Sequence, residues 1–188
     1  MNAEQLNTLA AEIYADNVAA GWWDDPDRDP LVCLQLISTE IAEATEGERK
    51  NLMDDHLPHR RMGEVELADA LIRMLDFGGR YGLQVFRLAG DDGLALIRDA
   101  HSTAACHYWL NHILLKFGEQ FYSTQRLQNV TRTPSLDRCY SRLIDAILAT
   151  GKRAGYDIEG AMVEKRAYNK TRADHTPEAR SEEHGKKF

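Results

Sequence analysis

The sequence predicts an all-α protein, a helical bundle of five to six helices. Three observations carry that reading. Apolar residues recur with a period of 3.6 rather than 2 along most of the chain. The five prolines, Pro26, Pro30, Pro58, Pro134 and Pro177, fall where helix breaks are expected. A length of 188 residues, 43% hydrophobic and 28% charged, suits one globular domain with a real core.

The elements follow in order. Residues 3–19 place Leu6, Leu9, Ala10, Ile13 and Tyr14 on one helical face. The loop GWWDDPDRD comes next, and Asp29-Pro30 reads as an N-cap with proline in the first turn. The second helix is predicted over about 30–46, stopping at Gly47. Residues 48–60 form a polar linker. A third helix is expected over about 62–81, ending near Gly82, and a long fourth over 93–118. Thr133-Pro134-Ser135 opens a fifth, ending near Gly151, and Asp157 caps a sixth that runs to about Arg172. Residues 1–172 make a single domain, with 83–154 as a two-helix segment within it. Residues 173–188 are a polar tail, poorly ordered unless a partner chain holds it.

Composition narrows the function classes. With 23 basic and 30 acidic residues the net charge is −7, which disfavours binding to nucleic acid polymers, since phosphate contacts need a basic face. A chain of this kind that handles phosphates needs a cation to neutralise them. No apolar run approaches the roughly 18 residues of a membrane span, and MNAEQLNTLAAEIY lacks a leader pattern, so a cytoplasmic location is expected. Cys33, Cys106 and Cys139 are odd in number and far apart, which argues against a disulfide framework or a structural zinc site.

The chemistry concentrates on the second and third helices. Glu40 and Glu43 in ISTEIAEA lie about 60° apart on one side, next to Val32, Cys33 and Leu36. The solvent side is expected to be Gln35, Ser38, Thr39, Ala42 and Glu46. Glu66 and Asp69 repeat the spacing, and Arg73, Asp76 and Arg80 extend their stripe. Leu67, Ala70, Leu71, Met74 and Tyr81 form a packing face, while Val65 and Ile72 border the stripe on its other flank. Taken singly, such acids are usual on solvated helices, and Asp69–Arg73 and Asp76–Arg80 read as ordinary i,i+4 pairs. Taken together, four acids beside apolar sectors converge if the two helices pack antiparallel. They cannot all stay ionised there without cations. Oxygen-only ligands select a hard ion, Mg²⁺ or Mn²⁺.

Glu40-x-x-Glu43, 22 intervening residues and Glu66-x-x-Asp69, with LISTEIAEA, VELADALIRMLD and the later EKRAYNKTRADH, resemble the ExxE…ExxD pattern of the MazG-like all-α nucleoside triphosphate pyrophosphohydrolases. The resemblance covers residues 21–82 and 155–175. It implies a MazG-like bundle and a Mg²⁺-dependent enzyme, with Mn²⁺ as a substitute. The implied reaction cleaves a nucleoside triphosphate between the α and β phosphates, giving a monophosphate and pyrophosphate. By that similarity Glu40, Glu43, Glu66 and Asp69 are the magnesium ligands and the catalytic set. One of the glutamates would also serve the attacking water.

On the last helix Lys165, Tyr168, Asn169 and Arg172 share one face, which Ile158, Ala161 and Met162 continue inward. Lys165 and Arg172 suit phosphate, and Tyr168 and Asn169 suit a base or sugar; a solvated basic helix end is the plainer alternative. Trp22 and Trp23 can stack on a base or plug the bundle end. Asp24 and Asp25 beside them favour the amino-bearing bases of dGTP or dCTP over dUTP. His56, His59, Arg60 and Arg61 either touch phosphates or sit in a surface loop. His101, His107 and His112 share no face and read as structural.

Other classes fit less well. A ferritin-like di-iron bundle needs Glu-x-x-His pairs, an HD phosphohydrolase needs a His-Asp dipeptide, and a P-loop needs GxxxxGK[ST]; none occurs. The remaining alternative is a non-enzymatic helical interaction protein. A homodimer, or a tetramer of dimers, is expected to complete the core and the site.

Overall fold

The computed structural model describes residues 1–86, 94–128, 132–172 and 179. The described part is all-helical: α1 (Ala3–Ala19), α2 (Pro30–Lys50), α3 (Met62–Tyr81), α4 (Ala95–Arg98), α5 (Thr103–Gln128), α6 (Pro134–Ala154) and α7 (Ile158–Asn169). The tail predicted over 173–188 lies outside the described residues, Ala179 excepted. None of the helices is long and apolar enough to cross a membrane.

Local chemistry explains most of the ends. Asn2 and Gln5 form a reciprocal capping box at the start of α1. Asp29 accepts from the Leu31 backbone N–H at 2.8 Å, with Pro30 in the first turn of α2. Thr133 with Pro134 does the same for α6, and Asp157 caps α7 by accepting from the Gly160 N–H at 2.9 Å. Gly82, at φ 65°, ends α3 in the left-handed region that glycine tolerates.

Two glycines expected to stop helices do not. Gly47 is buried inside α2, where a Cβ would stand 2.9 Å from the Gly63 backbone nitrogen and the Met62 Cβ. Gly151 lies inside α6, where a Cβ would meet Ile158 Cγ1 at 2.2 Å. Both mark close crossings of neighbouring segments. The helices end later, at Asn51 and Gly155. The expected fourth helix is in fact two. Ser102 Oγ accepts from the Ala105 N–H at 3.1 Å and restarts the chain as α5, which runs on to Gln128. The guanidinium of Arg153 holds the turn from below, donating to the carbonyls of Arg98 and Ala100.

α3 is the centre of the bundle, packed against α1, α2, α6 and α7. Both flanks of it are apolar, so Val65 and Ile72 are buried along with Leu67, Leu71, Met74 and Phe77. Phe77 packs on Phe117, Phe121 and Tyr81 at ring distances of 4.6–5.7 Å, tying α3 to α5. α5 also lies across part of the expected solvent side of α2. There Ser38 donates to Asn111 Oδ1 at 2.7 Å, and Thr45 meets the buried His107 ring at 3.0 Å. His107 is thus structural, as the sequence suggested.

The α2–α3 crossing predicts an outcome opposite to helix propensity. Gly47→Ala should gain about 1 kcal/mol of intrinsic helix preference but lose about 1–3 kcal/mol to overpacking. Its denaturant midpoint should therefore fall with an unchanged slope in urea titration. A higher midpoint contradicts the crossing.

Candidate functional site

The antiparallel α2 and α3 bring three carboxylates together. Glu40, Glu43 and Glu66 each place an oxygen so that all lie within 4.8 Å of one another. Glu40 and Glu66 are only 6% exposed, because their helices pack on each other there, whereas Glu43 faces outward. Asp69 is not one of these three, although its charge acts on Glu66. Its Oδ2 accepts from Lys165 Nζ at 2.9 Å, and Lys165 is 3% exposed.

The expected i,i+4 pairs on α3 do not form the main contacts. Arg73 turns to α2 and donates through Nε to Glu40 Oε1 at 2.6 Å. Asp76 accepts from the indole Nε1 of Trp23 at 3.0 Å, and Arg80 donates to the Tyr14 hydroxyl at 3.3 Å. Tertiary partners outcompete local ones because the stripe lies between helices rather than in solvent.

Electrostatics follow from the burial. Desolvation pushes the carboxyl of Glu66 far above its usual range, and repulsion from Asp69, Glu40 and Glu43 adds to it. Desolvation also raises Asp69, against the pull of Lys165, and raises Glu43, with Glu40 adding to the effect. Asp76 is pushed up to about 6 by desolvation, against hydrogen bonds from Trp23 and Asn17. Lys165 is raised as well, which keeps it charged: burial disfavours the ammonium, yet Asp69 and Glu66 hold it above the usual value.

A cleft of about 300 Å³ opens beside these groups. Asp69, Arg73 and Asp76 of α3 form one wall, with Ile72. Asn17, Trp22 and Arg28 line it from the N-terminal segment, Leu36 from α2, and Asn169 and Arg172 from the C-terminal end. Asn169 Oδ1 and Arg28 Nε are buried with no hydrogen-bond partner among the described residues.

The residues singled out in the sequence therefore divide. Trp22, Asn169, Arg172 and Asp69 line the cleft together. Trp23 is 8% exposed and hydrogen-bonded to Asp76, with the Arg28 and Arg80 guanidiniums over its ring, so it plugs the bundle. Tyr168 lies against the His56 ring at 4.7 Å instead of lining the cleft. Lys165 is paired with Asp69 and is not among the residues that line the cleft. α7 ends at Asn169, so Arg172 reaches the cleft from the turn beyond it. Asp24 and Asp25 are exposed, and Asp25 accepts from the Asp27 N–H within its turn. Arg60 is committed to Glu64 and Glu164 at 2.8 Å and to Asp157 at 3.3 Å, and His59 to Glu164 at 2.7 Å. Sequence reasoning placed Arg73 and Asp76 on the stripe but gave them no role, and it passed over Asn17 and Arg28. A polar stripe between two apolar flanks was the available signal for the first two; Asn17 carried none.

No family model, no curated protein and no solved structure matches this chain.

The trio's electrostatics set a pH dependence. Glu66 and Asp76 bind protons more tightly folded than unfolded, so folding takes up protons and stability falls as pH rises. The Asp76 part is confined to about pH 4–6, and the Glu66 part continues above it. The melting temperature of the metal-free chain should fall between about pH 5 and pH 8. Glu66→Gln should flatten that fall and melt higher than the parent at the alkaline end, by calorimetry in EDTA. A Glu66→Gln chain that melts lower there would show the carboxylate to be stabilising.

Proposed function

We propose that the protein is a divalent-metal-dependent nucleoside triphosphate pyrophosphohydrolase of the MazG-like kind, releasing a nucleoside monophosphate and pyrophosphate. The observation that carries this reading is the oxygen cluster of Glu40, Glu43 and Glu66, joined by the Glu40–Arg73 contact to a cleft that Arg73 lines with two further arginines. Three hard oxygen donors, two of them buried, fit a hard divalent cation such as Mg²⁺ or Mn²⁺. When bound, such an ion supplies charge neutralisation for phosphates and an activated water.

The chain's own groups then have separate tasks. Arg73 is oriented by Glu40 and presents its remaining N–H groups to the cleft, where a phosphate accepts them as a fork. Arg28 and Arg172 add positive charge along the same walls. Lys165 positions Asp69, holding its carboxylate at the border between the acids and the cleft. Leu36 and Ile72 give the walls apolar area, and Trp22 offers a ring for a base to stack on. One of the trio's carboxylates accepts the proton of the attacking water.

Glu43→Gln and Glu66→Gln should each lower hydrolysis about a hundredfold or more while keeping the helical spectrum. Each should also abolish the rise in melting temperature that Mg²⁺ or Mn²⁺ gives the parent. A panel of nucleotides with Mg²⁺ should yield pyrophosphate as the first product; orthophosphate first overturns the cleavage position. Unchanged behaviour of both variants would favour the alternative, a non-enzymatic helical interaction protein.

The same reading includes a homodimer or a tetramer of dimers. Leu31 and Leu115, 45% and 68% exposed, flank an apolar groove between α2 and α5. Sedimentation should show a species of at least two chains, and a monomer at micromolar concentration removes this part.

A further inference from the structure

We propose that Asp76 selects the base, its carboxylate accepting from the adjacent N1–H and 2-amino groups of a guanine held in the cleft. This rests on the nucleotide reading above and names the substrate within it.

Position comes first. Glu66, Asp69, Arg73 and Asp76 run along one stripe of α3, and the last lies ten positions on from the first. At about 1.5 Å per residue that is roughly 15 Å of helix. A nucleotide lying along α3, with its phosphates near Glu66 and Arg73, brings its base to Asp76.

Chemistry comes second. A carboxylate only accepts, and it has about four lone-pair sites. The Trp23 indole uses one on Oδ1, and Asn17 donates as well, so capacity remains for a ligand. These two donors fix the carboxylate's orientation. Desolvation raises the Asp76 carboxyl in spite of these two donors and the nearby charges of Arg28 and Arg73.

Unmatched groups come third. Two of the residues that line the cleft, Arg28 and Asn169, carry a covered polar atom, Nε and Oδ1, with no hydrogen-bond partner among the described residues. Leaving such atoms unpaired costs free energy, and a ligand of matching pattern recovers it by drawing these side chains toward itself. Guanine offers an acceptor, O6, beside two adjacent donors. Uracil and thymine lack the amino group, and adenine and cytosine place a single amino donor beside an acceptor. Only the guanine edge sets two neighbouring donors against the two oxygens of a carboxylate.

The test compares dGTP with dITP, which lacks only the 2-amino group, and with xanthosine triphosphate, which has a carbonyl there. The parent should turn over dGTP with a kcat/KM at least about tenfold above dITP. Asp76→Asn keeps an acceptor for the Trp23 indole. It should lower kcat/KM for dGTP roughly 5- to 150-fold, chiefly through KM, while xanthosine triphosphate gains. The Mn²⁺-induced rise in melting temperature should stay at the parent's value. Calorimetric binding of non-hydrolysable α,β-imido dGTP and dITP separates this inference from the function beneath it. Binding that prefers guanine, without turnover, leaves Asp76 as selector and removes the hydrolase. Turnover with dGTP and dITP alike, or an equal loss on all nucleotides in Asp76→Asn, overturns the selector and leaves the hydrolase. Neither binding nor turnover overturns both.

Discussion

Carboxylates buried side by side are the constraint on which this molecule turns. Glu40 and Glu66 come from two packed helices and are almost fully covered, with Glu43 close by. Each ionised acid in such a place loses hydration and repels its neighbours. The chain supplies two nearby cations and spends each on one partner: Arg73 on Glu40, Lys165 on Asp69. Glu66 has neither as its direct partner, and its carboxyl is driven far above the ordinary range. The negative charge is thus compensated in part. A proton can complete the balance, as the raised carboxyl of Glu66 indicates, and a divalent ion held by the three oxygens would do the same. The packing around α3 bears this cost. Aromatic contacts to Phe117 and Phe121 and burial on four sides hold the acidic stripe where it would not rest unaided.

Much of this architecture was legible in the residues. Period 3.6, the Asp29-Pro30 and Thr133-Pro134 starts and the capping Asp157 gave helices in the right order. The errors share a cause. Gly47 and Gly151 were read as stops because a lone glycine weakens a helix locally, and only tertiary contact reveals a crossing that excludes a Cβ. The break before α5 was marked by Ser102, a capping residue hidden in a run that still looked periodic. For the candidate site, spacing put Glu40, Glu43 and Glu66 on facing sides of two helices. It could not show that Asp69 is taken by a lysine almost a hundred residues away. The side chain of Trp23 is indistinguishable from that of Trp22 in sequence, yet one is buried on Asp76 and the other lines the cleft.

The cleft itself is assembled from distant parts. Its walls come from the end of α1, the loop before α2, the middle of α3 and the turn after α7. Donors and acceptors alternate there: arginines from three segments face the carboxylates of Asp69 and Asp76 and the amides of Asn17 and Asn169. A surface of that mixture suits a ligand that is anionic at one end and patterned in hydrogen bonds at the other.

Arg60 has a role that neither its place in a polar linker nor its charge announces. One guanidinium reaches Glu64 at the start of α3, Asp157 at the cap of α7 and Glu164 about two helical turns further on. α7 is therefore indexed to α3 at two heights. Sliding it by one turn, about 5.4 Å, would have to break both attachments at once. The register between the ammonium of Lys165 and its carboxylate, and the height of Asn169 above the cleft floor, are consequently set like a vernier from outside the cleft.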